Sequence, residues 1–173
     1  MGENKKQHLK DLIKSFDTAM FITRSGESLH ARPMAIAGTE EANILWFVTS
    51  NDSPKIDELK NDSRASATFQ SSSRFVGLSG NAALVTDRWK IIELWKPAWK
   101  AWFKDENDPT IVLIRVVVKD AEFWDNAGTR GIRYAFEAVK AALTGTEPDP
   151  IEGIHGRIDP RASKNAPPSS HRN

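Results

Sequence analysis

The sequence predicts a mainly β fold with peripheral helices, of the α+β class. Three strand-like segments, at residues 19–23, 29–38 and 44–50, follow one another through short turns, which is the pattern of an antiparallel meander. Helical spacing of apolar residues is confined to short segments. The chain has 173 residues, which suits one domain with a sizeable core. We therefore expect an antiparallel barrel or sandwich, and the pattern disfavours a parallel doubly wound sheet.

The other predicted elements follow from the same kinds of pattern. Apolar residues of segment 7–16 recur at i, i+3, i+4 and i+7, which predicts a short N-terminal helix. A later strand contains two glycines and is expected to bend at Gly77 or Gly80. Further along the chain the sequence predicts a helix at 54–60, strands at 64–70 and 75–85, a helix at 87–95 with Asp87 as its N-cap, a strand with a short partner at 109–125, and a helix at 130–143.

The end of the chain differs in composition from the rest. Residues 147–173 are rich in proline, glycine, serine and charge, which predicts a flexible C-terminal tail after a domain at 1–146. His155 and Arg157 fall in this tail, where a solvated loop is the expected setting.

Composition excludes several classes of function. The formal net charge is only +1, so the chain lacks the basic excess of a protein that binds nucleic acid or an acidic membrane. There are no cysteines, which removes thiol catalysis, thiolate metal sites and iron–sulfur clusters, so any redox chemistry requires a bound cofactor. Neither an apolar signal segment nor a run long enough to span a membrane is present in the sequence, and we expect a cytoplasmic protein.

The junction at 46–59 joins a strand to a helix through small polar residues. Ser53 and Pro54 fit an N-cap followed by proline at the first helical position. The first turn of a helix offers amide donors, and Lys55 adds a full charge. Together they predict a phosphate cradle, to which hydroxyl and amide donors are added by Thr49, Ser50 and Asn51. The alternative is an ordinary turn with Lys55 as a solvated surface charge.

A second candidate is Arg32, which precedes Pro33 inside an apparent strand. Proline is tolerated there only at an edge or a bulge, so the strand is expected to be irregular. A guanidinium held on such a backbone can present its fork to a phosphate or to a polar ring edge. The alternative is a surface salt bridge from Arg32 to Glu27 or Glu40.

The order of these motifs resembles the FMN-binding split β-barrel family. An "RPM" strand is followed by "WFVTS", by "SPKIDEL" at a helix start, and by "RASATFQ" and "GLSGNAALVTD". The nearest resemblance is to the branch called general stress proteins, which is related to the pyridoxamine 5'-phosphate oxidases, and it covers residues 7–143. It implies a small closed antiparallel barrel, a split barrel, that forms a homodimer with an FMN in each of two clefts between the subunits.

The resemblance also implies roles for single residues. Arg32 matches a phosphate-contacting arginine, and the backbone of the Pro33–Met34 strand matches the border of the isoalloxazine ring. The remaining matches, to a polar pair at a strand end and to the phosphate-binding helix start, are Thr49, Ser50, Ser53 and Lys55.

Three aromatic residues are weaker matches to the family. Phe75 lies where pyridoxamine oxidases carry a flavin-contacting glutamine, which implies an altered contact. Trp99 and Trp102 fall in a segment that could reach the ring across a dimer, and core or interface packing is the alternative for both.

The function implied is that of an FMN-dependent oxidoreductase of the stress response, reduced by a reduced nicotinamide or another small donor. The oxidases end with an arginine–histidine substrate motif, whereas this sheet is expected to end with "AEFWDNAGTR", so pyridoxamine phosphate oxidation is not expected. No residue is assigned a catalytic role. One alternative is a non-catalytic flavin-binding or flavin-buffering protein. Another is a barrel that holds haem or a deazaflavin, with His30 as the histidine within the predicted barrel.

Overall fold

The computed structural model describes residues 2–40, 43–126 and 155–158. In chain order the elements are α1 (Gly2–Lys14), β1 (Thr18–Ser25), β2 (Ser28–Glu40), β3 (Ile44–Ser50), α2 (Lys55–Asn61), β4 (Arg64–Gln70), β5 (Arg74–Val85), α3 (Arg88–Leu94), a 3-10 turn (Pro97–Ala101), β6 (Ile111–Asp125) and β7 (His155–Ile158). No helix among these residues is both long and apolar enough to cross a lipid bilayer.

Six strands close into an antiparallel barrel. Their order is β3-β2-β1-β4-β5-β6, and β3 pairs with β6 to close the ring. Closure is possible because β6 has 15 residues: one edge pairs with β5, and the first half of the other edge pairs with β3. The predicted antiparallel β fold with peripheral helices is confirmed, and the open alternative, a sandwich, is not the one adopted.

The barrel interior follows from alternating burial along the strands. On β1 the side chains of Ala19, Phe21 and Thr23 are buried, whereas the residues between them are more exposed. Phe21 contacts Phe47 of β3 with ring centroids 4.9 Å apart. Apolar residues of α1 close one end of this core: Leu9, Leu12 and Ile13.

A second apolar cluster lies on the outside of β3 and β6. Trp46 of β3 and Leu113 of β6 pack there against Ile91 of α3 and against Trp99 of the 3-10 turn. Trp99 is 1% exposed and meets Trp95 edge to face, with ring centroids 5.6 Å apart. Of the two roles considered for Trp99, the structure supports packing in the core of the chain.

Gly80 is the bend of β5. The pairing of β5 with β6 shifts register between Ser79 and Gly80, and a Cβ at Gly80 would stand 2.1 Å from the carbonyl oxygen of Val117. Only glycine allows this approach of two backbones. A Cβ at Gly77 would meet no atom within 4 Å, so the bend belongs to Gly80 and not to Gly77.

The elements agree with the sequence prediction in most places and differ in three. The strands predicted at 44–50 and 64–70 have those bounds, and Asp87 caps α3 by accepting a 2.8 Å hydrogen bond from the amide of Lys90. The segment predicted as a strand with a short partner is one strand, because β5 pairs with it along nearly its whole length. The N-terminal helix begins earlier than predicted, at Gly2.

The third difference concerns the predicted tail. Residues His155–Ile158 form β7, which pairs with the second half of β6 beyond the part that β3 covers. This short segment is therefore a strand and not the solvated loop expected there. The helix predicted at 130–143 lies outside the described residues.

Candidate functional site

A cleft of about 900 Å³ opens where β2, β3, the start of α2 and the 3-10 turn meet. Seven of the nine residues that the sequence marked as cofactor-binding line it: Pro33, Met34, Thr49, Ser50, Ser53, Lys55 and Trp102. The other two, Arg32 and Phe75, do not line it.

The polar end of the cleft is made by the turn between β3 and α2. After Ser50 the chain reverses, and the amide of Asn51 donates to the carbonyl of Thr110 at 2.8 Å. The amide of Ser53 then donates back to the carbonyl of Ser50 at 3.2 Å. This tight turn brings the hydroxyl groups at the end of β3 next to the first residue of α2, Lys55.

Lys55 is held by two hydroxyl groups. Its Nζ donates to Thr49 Oγ1 at 2.9 Å and to Ser53 Oγ. Burial lowers the pKa of Lys55, and the nearby charge of Arg32 lowers it further, while Glu58 and Asp52 oppose this shift. Both hydroxyl groups accept from the ammonium, which leaves their own protons to donate to a ligand.

The predicted N-cap is wrong in its chemistry. Pro54 already has helical angles, φ −52° and ψ −29°, and no side chain caps α2. The hydroxyl group of Ser53 instead accepts a hydrogen bond from the ammonium of Lys55. A charged donor forms a stronger hydrogen bond than a neutral amide, which explains why Ser53 turns toward Lys55.

Arg32 lies behind the cradle in a closed polar network. Its Nη2 donates to Glu58 Oε2 at 2.8 Å and its Nη1 donates to Thr23 Oγ1 at 2.6 Å. Glu58 also accepts from the Thr23 hydroxyl group, and His30 Nδ1 lies 2.7 Å from its other oxygen. Neither surface carboxylate considered as a partner is used, and the phosphate contact of Arg32 stays a prediction.

Glu58 is a buried carboxylate whose pKa is strongly lowered. Its side chain is 8% exposed, and burial alone would raise its pKa. Hydrogen bonds from Thr23, His30 and Arg32, together with the charge of Arg32, outweigh burial and hold the pKa of Glu58 at about 2. The carboxylate is therefore ionised at neutral pH.

Apart from Thr18 and Asp52, the rest of the cleft wall is apolar. Met34 and Val48 are buried, whereas Pro33 is exposed. Trp102 is 66% exposed and stands at the end of the 3-10 turn, next to buried Phe103. A cationic, hydroxyl-lined end joined to an apolar wall suits a ligand that carries an anionic group on a flat apolar body.

Phe75 lies on β5 and is not among the residues that line the cleft. It pairs with Gln70 of β4 on one side and with Trp124 of β6 on the other. A contact from Phe75 to a cofactor in this cleft would have to come from a second copy of the chain, and it stays a prediction. His30, considered as a haem ligand, faces Glu58 and does not line the cleft.

Sequence reasoning missed Glu58 and Thr23. Glu58 follows Lys55 by three residues on the same short helix, and this closeness in the sequence was the available signal. Its partners, however, stand 26 to 35 residues away in the sequence on β1 and β2. Only the folded barrel shows that the carboxylate points inward.

Comparisons with known proteins agree with this fold. A family model described as pyridoxamine 5'-phosphate oxidase like matches residues 4–149. The general stress FMN/FAD binding protein of Xanthomonas citri is 30% identical, covers 75% of this chain and 93% of its own, and superposes with a TM-score of 0.63. General stress protein 26 of Bacillus anthracis str. Sterne is 21% identical over 67% of this chain and 93% of its own, with a TM-score of 0.59, a likeness of fold.

A curated relative matches this chain over part of the length of each protein. Protein bli-3 of Neurospora crassa is 33% identical over 135 residues, which is 70% of this chain. The match spans 65% of bli-3, slightly less than two thirds of that protein.

Proposed function

This chain belongs to the pyridoxamine 5'-phosphate oxidase-like family, in its general stress protein branch, and we propose that it binds FMN in the cleft at the start of α2. The observation that carries the proposal is the position of Lys55. Its ammonium, flanked by the hydroxyl groups of Thr49 and Ser53, lies at one end of a cleft whose other walls are mainly apolar.

The donor set fits a phosphate monoester. An ammonium forms charge-assisted hydrogen bonds with phosphate oxygens, and neighbouring hydroxyl groups satisfy the oxygens that remain. Lys55, Thr49, Ser50 and Ser53 offer this combination within one turn of chain. Burial lowers the pKa of Lys55, which shows that the ammonium is short of solvation, and a dianionic ligand would supply what is missing.

The apolar walls fit a flat aromatic ring. The cleft volume of about 900 Å³ is within the range of about 300–1,000 Å³ usual for cofactor sites. Pro33 and Met34 form the strand side of the cleft and Trp102 stands on the other. In the proposed complex these residues orient the ring while Lys55 fixes the phosphate.

We further propose that the chain forms a homodimer with the cleft at its interface. Adjacent strands present a row of small or apolar residues on the outer face of the barrel: Pro33, Met20, Thr68 and Gly77 pair in that order. Met20 is 41% exposed, and a flat face of this kind suits another sheet. Because Pro33 belongs to both this row and the cleft, a second copy on this face would border the cofactor.

Phe75 and Trp124 share that outer face and supply its large aromatic side chains. Sedimentation of the flavin-loaded protein tests the arrangement. A dimer whose flavin affinity falls on dilution to monomers supports the interfacial site. A monomer that binds flavin at full strength contradicts it.

The proposed activity is that of a flavin-dependent oxidoreductase. A bound flavin supplies electron and hydride transfer, and the protein contributes binding, orientation and exclusion of water. Within the described residues, the titratable groups that line the cleft are Asp52 and Lys55. This sparse set also favours a second candidate, a protein that binds flavin without turning over a substrate.

One preparation tests both candidates. The freshly purified protein is expected to show flavin bands in its visible absorption spectrum, and mass spectrometry of the released chromophore distinguishes FMN from FAD. Reduction by NADH or NADPH faster than flavin release supports the oxidoreductase. Tight flavin retention without reduction by any tested donor supports the binding protein, and a colourless protein that takes up no added FMN contradicts both.

A further inference from the structure

Glu58 is a buried charge that the proposed cofactor site does not use. It stands on α2 between two cavities, the cleft that Lys55 lines and a second cavity of about 640 Å³ on the other side of the helix. Glu58 itself lines the second cavity, together with His30. A buried carboxylate costs free energy unless cations and donors compensate it, so its partners identify what it does.

The principal partner of Glu58 is Arg32. Both terminal nitrogens of the guanidinium are engaged, one by Glu58 and one by Thr23, at 2.8 and 2.6 Å. These two hydrogen bonds hold the guanidinium away from the cleft, and Arg32 is not among the residues that line it. Arg32 is nevertheless close enough to lower the pKa of Lys55, and Glu58 is close enough to raise it, so both charges reach the polar end of the cleft.

We propose that Glu58 lowers the affinity of the cleft for the flavin phosphate, because it neutralises the charge of Arg32 and keeps the guanidinium hydrogen-bonded away from the cleft. Lys55 is then the cation offered directly to the phosphate, and Arg32 acts only to the extent that Glu58 releases it. The proposal rests on the proposed flavin function and adds a specificity-determining residue to it.

His30 is a further partner of the Glu58 carboxylate. Its Nδ1 lies 2.7 Å from the carboxylate oxygen of Glu58 that Arg32 does not use, and its side chain is half exposed at the second cavity. Both oxygens of Glu58 are therefore engaged, and Arg32 shares its oxygen with the hydroxyl group of Thr23.

Other charged groups near this cluster have partners of their own. Arg24, Asp57 and Asp62 line the second cavity, and they pair with Glu27, Lys60 and Arg64 respectively. Within the described residues, Arg32 is therefore the arginine that pairs with Glu58.

A double-mutant cycle with two ligands tests the role of Glu58. Dissociation constants of FMN and of riboflavin, which lacks the phosphate, are measured for the wild type, Glu58→Gln, Arg32→Gln and the double variant. Glu58→Gln is expected to bind FMN about three- to tenfold more tightly, the effect of removing one partly screened negative charge. Riboflavin affinity is expected to stay the same, and the gain should vanish when Arg32→Gln is added.

Each other outcome overturns the proposal. Equal losses for FMN and riboflavin in Glu58→Gln would mean that Glu58 only supports the fold. A loss confined to FMN would mean that Glu58 already orients Arg32 toward the phosphate. If the wild type binds FMN no better than riboflavin, or binds neither, the proposed phosphate site fails and this inference fails with it.

A second variant covers the case in which Glu58→Gln does not fold. Thr23→Val keeps the shape of the side chain and the charge of Glu58, but it removes the hydroxyl group that accepts from Nη1 of Arg32. The ratio of riboflavin to FMN dissociation constants is measured for the wild type, Thr23→Val and the control Thr39→Val, whose residue lines neither the cleft nor the second cavity. The preference for FMN should rise in Thr23→Val alone, and a ratio that is unchanged or lower in Thr23→Val would contradict the proposal.

Discussion

Lys55 and Glu58 stand three residues apart on the same short helix, and the fold treats their charges in opposite ways. Lys55 faces the cleft with two hydroxyl groups as partners, and burial lowers its pKa. Glu58 faces the barrel with three partners, and its pKa is about 2. The charged form of Glu58 is therefore favoured by folding, whereas that of Lys55 is disfavoured. A charge that the fold satisfies supports the structure, and one that it leaves short of partners is available to a ligand.

The largest loss of stability is expected when the buried and hydrogen-bonded carboxylate of Glu58 is removed. Glu58→Ala leaves Arg32 and Thr23 without their shared acceptor in a mostly buried setting. Removing one member of a buried ion pair costs about 3–5 kcal/mol, and we expect the lower end because Arg32 retains some exposure. The free energy of unfolding from urea titration at neutral pH measures the loss.

Asp57→Ala is the matched control for that variant. Asp57 precedes Glu58 on the same helix, is exposed, and pairs with Lys60 at the surface. Exposed pairs of this kind contribute less than about 1 kcal/mol. Equal losses in Glu58→Ala and Asp57→Ala would show that the helix, and not the buried carboxylate, is what each variant damages.

Acid should remove the stabilisation that the ionised Glu58 carboxylate provides, and the direction of its pKa shift gives the pH range of the loss. The pKa of Glu58 is lowered from 4.5 to about 2 in the folded chain, so its contribution is present above pH 4.5 and is lost as the pH falls toward 2. A difference of this size corresponds to about 3 kcal/mol. Unfolding of the wild type and of Glu58→Gln is compared across this range.

The expected result is a stability advantage of the wild type that shrinks between pH 4.5 and 2. Other carboxylates titrate in the same range and affect both proteins alike, so the difference isolates Glu58. An advantage that stays constant down to pH 2 would show that the ionised form is not what stabilises the fold.

The charge of Lys55, which the fold leaves partly desolvated, should contribute to FMN binding. Lys55→Ala removes one charge-assisted phosphate contact, which weakens FMN binding by about 1.5–3 kcal/mol. Riboflavin binding should not change, because the loss concerns the phosphate alone. Lys60→Ala, on the exposed side of the same helix, is the control. An unchanged FMN dissociation constant in Lys55→Ala would remove Lys55 from the proposed cradle.

The same contrast explains what the sequence could predict. The residues Thr49, Ser53 and Lys55 lie within seven positions of one another, so the local pattern of a strand end, a turn and a helix start was sufficient to predict that they lie together. Runs of strand-forming residues joined by short turns similarly predicted the strands of the barrel. Glu58, by contrast, meets Thr23, His30 and Arg32 only because β1 and β2 pass beside α2. A contact that depends on packing between distant segments leaves no local pattern.

Arg32 shows the same limit from the other side. Its position before Pro33 in an irregular strand predicted an available guanidinium, and the family resemblance implied a phosphate contact. The structure gives the guanidinium a carboxylate and a hydroxyl group as partners, neither of which the local sequence identifies. The setting expected for Pro33 agrees with the structure: β2 pairs with β3 only from Ile36 onward, so Pro33 has a paired strand on its β1 side alone. The irregularity of β2 is a register shift between Ile36 and Gly38.

The smallest expected effect is a gain in stability when the unsatisfied charge is removed without loss of volume. Lys55→Met keeps a chain of similar length but removes the ammonium, whose pKa burial lowers in the folded chain. Because folding disfavours that charge at neutral pH, we expect the flavin-free variant to unfold with a free energy about 0.5 kcal/mol higher than that of the wild type. Urea unfolding measures this change, and Lys60→Met, at an exposed position, should show none. A loss of stability in Lys55→Met would mean that the hydrogen bonds to Thr49 and Ser53 fully compensate the desolvation of the ammonium. The lowered pKa of Lys55 would then no longer support the inference that the cleft favours an anionic ligand.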